Sequence, residues 1–489
     1  MTTLVTPYDG FVYLPHQVEA VAWMTEREAE GAEFCRGGVL ADEMGLGKTW
    51  MTVGLLLNSV VPETLLLVPP ALQPQWSAVL KQSGINHRIL GAPKKPAEGS
   101  WVNHAGTREF RVTLSTYDRA FTKVDFLQNE TKYDRIVCDE GHVLRNGPHV
   151  KRFRELMRID VTRKWILSGT PIQNRAADFN NLLTFLGMEP AKRLKEALSK
   201  VAETVIMRRT VSDVREFVPA MPTVKPVHIV HPITMPFNSE EANVFGALVQ
   251  RLEHAVERHA KTMIVLELYL RIRQFLAHPD IYVQSLRRKY SREDYKREGW
   301  AGTASKAAEF ERFALTEAKE PTIVFATFKA EMDLAELTLR TAGYKVYSIR
   351  GGMSDAAREE ATVQSKVDVK AGKPVAIVVQ IVSGGAGLNL QHCSRIVFLS
   401  SHWNPAVVDQ AIARAYRMGQ TKTVEVHHFM MADSAEKNID RLMANMHGLK
   451  RNVATEIHEK LFCDSAVNNE RVMEELDAVA ELFEVQDSD

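Results

Sequence analysis

The sequence predicts an α/β protein of two parallel-sheet lobes in tandem, with a helical region inserted between them and a helix closing the chain. Three observations predict it. Strand-length apolar runs alternate with longer helical stretches in two separate blocks. The segment between the blocks has helical periodicity and a basic, aromatic composition. A glycine-bearing loop of phosphate-binding type follows the first run of the first block. A chain of 489 residues also exceeds one ordinary core, and this length suggests roughly two to four domains.

The apolar runs of the first block lie at 38–40, 64–68, 111–114, 135–138 and 164–167. Those of the second lie at 322–326, 345–349, 374–380, 395–399 and 423–429. Near-continuous apolar strands separated by helices belong to parallel sheets covered on both faces. Between the blocks, 238–278 reads as one long helix, capped by Asn238 or Ser239 and stopped by Pro279. The stretch 285–300, SLRRKYSREDYKREGW, packs six Lys/Arg among two tyrosines and a tryptophan. It suits a cationic grip on a polyanion and a solvated loop equally well. The tail 464–489 carries nine Asp/Glu against one Arg, yet Val472, Leu476, Val479 and Phe483 recur at helical spacing. This pattern gives an amphipathic closing helix. The resulting division is a first lobe at 1–215, ending in a helical protrusion from 176, then a helical insertion at 216–304. A second lobe at 305–450 and a helical extension at 451–489 complete it.

Composition narrows the function classes. Lys+Arg and Asp+Glu balance at 61 each, so any nucleic-acid contact rests on local patches rather than on a basic excess. Cys35, Cys138, Cys393 and Cys463 are far apart and form no Cys-x-x-Cys pair. That argues against a disulfide framework or a cysteine zinc site and fits a reducing compartment. The start MTTLVTPYDG lacks a signal pattern, and the apolar runs are strand-length. The expectation is a soluble protein of the cytoplasm, in a bacterium or a virus-infected cell, or of the nucleus in a eukaryote.

The chemistry-bearing motifs begin with GVLADEMGLGKT (38–49), an apolar strand, a turn holding Gly45 and Gly47, then Lys-Thr opening a helix. Backbone N–H groups of such a loop converge on phosphate oxygens, aided by the positive helix end. Lys48 reaches the β and γ phosphates and Thr49 offers a hydroxyl to magnesium. The strict G-x-x-x-x-G-K-[ST] spacing fails because Asp42 stands where the first glycine is expected, so a surface loop competes with this reading. CDEGH (138–142) follows an apolar strand directly. In an α/β sheet the carboxyl ends of strands bind ligands. There Asp139 would hold magnesium and Glu140 would orient and deprotonate the attacking water.

The order of the remaining motifs resembles superfamily 2 helicases, and within them the SWI/SNF-like ATPases. LPHQVEAVAW (14–23) is similar to the family's adenine-reading motif, with Gln17 as the base-contacting amide. ADEMGLGKT (41–49) is the family's own phosphate loop, which accounts for Asp42. LLLVPPALQPQW (65–76) and LSTYD (114–118) resemble first-lobe motifs that contact the nucleic-acid backbone. DEGH with VLRN (139–146) is similar to DEAH-x-L-[KR]-N, with Gly141 replacing alanine, and LSGTPIQN (167–174) is close to verbatim. In the second block IVFATF (323–328), IRGGMS (349–354), SGGAGLNLQ (383–391), WNP (403–405) and QAIARAYRMGQTKTVEVH (410–427) resemble the family's motifs. A serine, Ser400 or Ser401, stands where the family usually carries an acidic residue.

The resemblance covers about 14–429 and implies two RecA-like lobes, ATP and Mg2+ as cofactors, and double-stranded DNA as the partner. It assigns Gln17, Asp42, Gly45, Gly47, Lys48, Thr49 and Gly387 to the nucleotide, Thr49 and Asp139 to the metal, and Lys48 and Glu140 to catalysis. Arg414 and Arg417, read as three apart on one helical face, are implied as arginines that stabilise transition-state charge. Ser115, Thr116, Thr327, Ser383, Gly384 and Trp403 are the implied DNA contacts, and Trp76 is either a contact or lobe packing. The expected function is a motor that moves along duplex DNA and displaces a bound protein such as a polymerase or repair factor. A strand-separating DNA or RNA helicase and a non-hydrolysing ATP-gated clamp are the alternatives. The compact form suggests a viral or bacterial source.

Overall fold

In the computed structural model of the chain, residues 4–30, 32–90, 110–125, 127, 132–169, 176–188, 198–217, 224–236, 238–258, 262–290, 295–381, 388–400, 402 and 404–432 are described. They fall into two compact units, one within Met1–Met221 and the other within Pro222–Leu449. The acidic tail predicted as a closing helix lies outside the described residues.

The first unit opens with helix α1 (Pro15–Arg27), strand β1 (Arg36–Leu40) and helix α2 (Lys48–Asn58). There follow β2 (Glu63–Val68), α3 (Gln73–Gln82), β3 (Asn86–Ile89), β4 (Arg111–Thr116), α4 (Tyr117–Thr122) and β5 (Arg135–Asp139). The unit continues with α5 (Lys151–Met157), β6 (Arg163–Leu167), α6 (Ala176–Phe185), α7 (Leu198–Val205), β7 (Ile206–Met207) and α8 (Val211–Val214). Its described strands form one parallel sheet in the order β3-β4-β2-β5-β6-β1-β7. Successive side chains of a strand point to opposite faces. Val39, Leu65, Leu67, Ile136, Cys138 and Ile166 accordingly enter one helix-covered core, while Leu40, Leu66, Val137 and Leu167 are buried on the other face. Register places the site: Leu40 at the end of β1 and Asp139 at the end of β5 both lie level with Leu167 of β6 between them. The loop after β1 and the acidic pair after β5 therefore leave the sheet at the same edge.

The second unit begins with β8 (Val227–Ile233) and three helices, α9 (Glu240–Glu257), α10 (Thr262–Ala277) and α11 (Pro279–Lys289). Then come α12 (Ser305–Thr316), β9 (Thr322–Ala326), α13 (Lys329–Thr341), β10 (Lys345–Ile349) and α14 (Asp355–Lys370). The last elements are β11 (Val375–Gln380), β12 (Arg395–Phe398), α15 (Pro405–Ile412) and β13 (Glu425–Met431). The strands form a second parallel sheet, β10-β11-β9-β12-β13-β8. Ile323, Phe325, Ile377 and Val379 feed one core and Val324, Ala326, Ala376 and Val378 the other, so this sheet too is covered on both faces. Both units thus have the α/β fold class that the sequence predicts.

One local expectation is corrected. The predicted single helix over 238–278 is two helices: Ser239 caps α9 by accepting the Ala242 N–H at 3.1 Å, but α9 ends at the Arg258 cap, and α10 starts afresh at Thr262. Pro279 ends α10 and also opens α11, where His278 Nδ1 accepts the Asp280 N–H at 3.1 Å. Proline fits a first helical position because the N–H it lacks would have no partner there. Leu248, Leu252, Ile272 and Phe275 of these helices share a core with Val324 and Val378, so the helical region packs on the second sheet.

The basic stretch 285–300 is largely tied down where it is described. Lys289 pairs with Glu267, and Arg287 Nη1 donates to the Glu298 carbonyl at 2.7 Å. Arg297 lies 2.8 Å from Glu240 and stacks over Trp300 at 4.2 Å. These contacts favour a structural role for that stretch over a free cationic grip. Among the described residues no helix is long and apolar enough to cross a membrane.

Candidate active site

The phosphate loop runs from Ala41 to Gly47 between β1 and α2. Gly45 and Gly47 have φ of 93° and 87°, the left-handed region that side chains rarely adopt. At Gly47 a Cβ would lie 2.5 Å from Gln17 Nε2, so the loop and the first turn of α1 meet without room for a side chain. Gln17 is buried there; its Oε1 accepts the Leu14 N–H at 3.1 Å and its Nε2 donates to the Leu46 carbonyl at 3.4 Å. His16 Nε2 bonds the same carbonyl at 2.9 Å. Lys48 and Thr49 occupy the first turn of α2, where the unpaired N–H groups and the helix dipole favour an anion. Lys48 Nζ folds back onto the Asp42 carbonyl at 2.5 Å. Burial lowers the lysine pKa, and Glu140, Asp42 and Asp139, in that order, oppose the shift.

Asp139 and Glu140 end β5 at the same sheet edge. Burial and the adjacent Glu140 charge push the Asp139 carboxyl up to about 6, against the Trp76 hydrogen bond and the Lys48 charge. Glu140 has φ of 50°, a left-handed conformation unusual for a side-chain-bearing residue. His142 Nδ1 lies 3.3 Å from Glu140 Oε2. Gly141 has no space for the alanine usual in the related motif: a Cβ would meet Ile166 Cγ2 at 2.7 Å. A glycine-lined anion cradle, one ammonium and a carboxylate pair at one sheet edge form a donor set that fits a magnesium-bound triphosphate. The ion is held in such sites by one or two carboxylates plus the phosphates themselves.

Two residues complete the arrangement in ways the sequence does not disclose. Trp76, read as a nucleic-acid contact or lobe packing, is 1% exposed, and its indole N–H donates to Asp139 Oδ2 at 2.7 Å. Arg209, after β7, holds the carboxylate of Asp42: its Nε donates to Oδ1 at 3.1 Å and its Nη2 to Oδ2 at 2.6 Å. Asp42 is fully buried, so what it presents towards Lys48 is its backbone carbonyl, and its carboxylate faces away to Arg209. Glu43 extends the tie by accepting the Val211 N–H at 2.6 Å.

The other predicted residues divide. Ser115 and Thr116 are buried; Ser115 donates to the Thr116 carbonyl at 3.1 Å, and Thr116 caps α4 by accepting the Arg119 N–H. Both hydroxyls are engaged in these local hydrogen bonds. Thr327 is partly buried, and its N–H donates to Glu331 at 2.7 Å. That buried carboxylate also accepts from Ser400, one of the two serines read at the position usually acidic in related motifs. Arg414 and Arg417 do not sit on a helix: α15 ends at Ile412, and both lie in the turns beyond it. Gln420 explains the break. Its amide donates to the carbonyls of Ala415, Gln391 and Cys393 at 3.3, 3.0 and 3.1 Å, and Gly419 turns the chain at φ of 90°. Ser383, Gly384, Gly387 and Trp403 lie outside the described residues.

A family model described as SNF2-related domain matches residues 16–281, more than half of the chain. The chain belongs to the SNF2-related family. A second model, Helicase conserved C-terminal domain, matches 305–419. The chain is 24% identical to the Probable global transactivator of Orgyia pseudotsugata multicapsid polyhedrosis virus over 455 residues, 88% of either chain. It is 25% identical to the DNA repair protein rhp54 of Schizosaccharomyces pombe, across all of this chain and 62% of that one. With the Putative ATP-dependent helicase/translocase YwqA of Bacillus subtilis it shares 23% identity, over 88% of this chain and 47% of that one. The SNF2-related chain therefore spans about half to two thirds of the length of the last two relatives. A solved structure titled Sulfolobus solfataricus SWI2/SNF2 ATPase core in complex with dsDNA is 21% identical, covering 95% of this chain and 100% of that one, with a TM-score of 0.38. As an SNF2-related protein with the helicase C-terminal domain, the chain is an enzyme, a DNA-dependent ATPase of helicase superfamily 2.

Proposed function

We propose that this ATPase is a motor that translocates on double-stranded DNA and remodels or displaces DNA-bound protein, such as a polymerase or a repair factor. The observation that carries the reading is the register of the first sheet, which brings the Lys48 loop and the Asp139–Glu140 pair to one edge. The likeness to a DNA repair protein and to a putative helicase/translocase supports the DNA and motor parts.

In this mechanism Gln17 reads the adenine base, and the backbone of the loop from Gly45 to Thr49 cradles the phosphates. Lys48 leaves the Asp42 carbonyl for the β and γ phosphates. Thr49 and Asp139 would hold a magnesium ion, which would supply positive charge at the phosphoryl oxygens. Trp76 fixes the orientation of the Asp139 carboxylate, as outer-shell donors do at metal sites. Glu140 orients the attacking water and accepts its proton, with His142 beside it. Arg414 and Arg417 contribute positive charge to the transferring group.

The test is steady-state ATP hydrolysis without nucleic acid and with single-stranded DNA, duplex DNA or duplex RNA. Strong stimulation by duplex DNA above the other three is the expected result. Stimulation chiefly by single strands or RNA would replace translocation with strand separation, and absent hydrolysis would point to a clamp.

A further inference from the structure

Arg209 spends its guanidinium on two parts of the nucleotide site at once. Nε and Nη2 grip both oxygens of the buried Asp42 at 3.1 and 2.6 Å, and the Arg209 backbone N–H adds a third bond to Oδ1 at 3.0 Å. Nη1 donates to the His16 carbonyl at 2.7 Å and to Glu19 at 2.9 Å, both on α1. The Arg209 carbonyl in turn accepts the Glu43 N–H at 2.8 Å, and the Met207 carbonyl accepts the Ala41 N–H at 2.7 Å. One side chain, 167 residues from the aspartate and 193 from the helix, thus joins the phosphate loop to the turn of α1 that carries Gln17.

We propose that Arg209 is a positioning residue that holds Gln17 at a fixed offset from the phosphate loop and thereby sets selectivity for adenine nucleotides. This rests on the reading of Gln17 as the base-contacting amide. The geometry requires arginine: four N–H donors in one plane serve a carboxylate and a helix turn together, whereas a lysine ammonium is a point donor on a flexible stem. With the fork lost, the His16 and Gln17 bonds to the Leu46 carbonyl remain to tie α1 to the loop. A displacement of about 1 Å at a positioned group can cost about 100-fold in rate or affinity.

The experiment uses the full chain with duplex DNA and measures kcat and KM for ATP and GTP in wild type, Arg209→Lys, Glu19→Gln and Gln17→Ala. Arg209→Lys is expected to raise KM for ATP and to lower the ATP-over-GTP ratio of kcat/KM by about 10–100-fold. Glu19→Gln removes only a mostly exposed partner, so it folds whatever becomes of Arg209→Lys, and it should move the ratio a few-fold the same way. In a Gln17→Ala background, Arg209→Lys should shift the ratio no further, since the arginine acts through Gln17. An unchanged ratio in both Arg209→Lys and Glu19→Gln, with Gln17→Ala abolishing the preference, would overturn the proposal and leave the base-reading assignment intact. No effect of Gln17→Ala on the ratio would instead remove that assignment and the proposal with it.

Discussion

Glu140 sits in a left-handed conformation at the end of β5, between a metal-type carboxylate and a histidine. Such a conformation costs about 1–2 kcal/mol in a side-chain-bearing residue, which is tolerated where it aims a functional group. Glu140→Gln keeps the shape and the hydrogen-bonding oxygen but cannot take a proton, so nucleotide binding should persist while turnover is lost. Equilibrium nucleotide binding beside single-turnover hydrolysis checks this; retained turnover would end the assignment. Trp76→Phe removes the indole donor to Asp139 and should weaken magnesium affinity or activity by about 10–100-fold, read from a magnesium titration of the ATPase rate. Lys48, Thr49, Asp139 and Glu140 were legible because each motif is contiguous in the chain. Trp76 and Arg209 were not, because they reach their partners across 63 and 167 residues and local spacing carries no trace of that.

The strands that escaped the sequence share one property. β3 and β7 are the edges of the first sheet, and β8 is an edge of the second. An edge strand is covered less fully, so it need not be a continuous apolar run. β3 reads NHRI, β7 has two residues, and β8 contains Pro232, which an edge tolerates. The arginine turn was misread for a different reason: the residues have good helical spacing, and it is the tertiary bonds of Gln420 that stop the helix. Between α14 and β12, His392 Nε2 lies 3.0 Å from Ser365 Oγ, and burial, aided by the Lys366 charge, holds its ring down to about 4. The unfolded ring titrates near 6.5. Between these values the unfolded chain binds the extra proton, so this contribution to stability is intact above about pH 6.5 and is lost as pH falls toward 4. Urea unfolding midpoints at pH 7.5 and 5 should therefore diverge more in wild type than in His392→Gln.

At the scale of the molecule, the balance of 61 basic and 61 acidic residues leaves no global attraction for a polyanion. Arg287, Lys289 and Arg297 of the basic stretch are tied within the chain, and Ser115 and Thr116 among the implied hydroxyl contacts are buried. The nucleotide-site motifs converge on one sheet edge within the first unit, whereas Ser383, Gly384 and Trp403 among the implied DNA contacts lie outside the described residues. The proposed cycle also draws catalytic charge from the second sheet's unit. Arg417→Ala should bind ATP and duplex DNA normally yet hydrolyse about 10³-fold more slowly or worse, measured under saturating DNA. Hydrolysis at the wild-type rate would remove Arg417 from the proposed chemistry.

The contact between Gly141 and Ile166 has a consequence for how this chain can vary. A methyl group at 141 would press on a β-branched side chain whose rotamer has little freedom. Position 141 can therefore accept alanine only after, or together with, a smaller residue at 166. The two sites form a ratchet in sequence space: the order of substitutions matters, and a change harmless in a relative's background becomes a defect in this one.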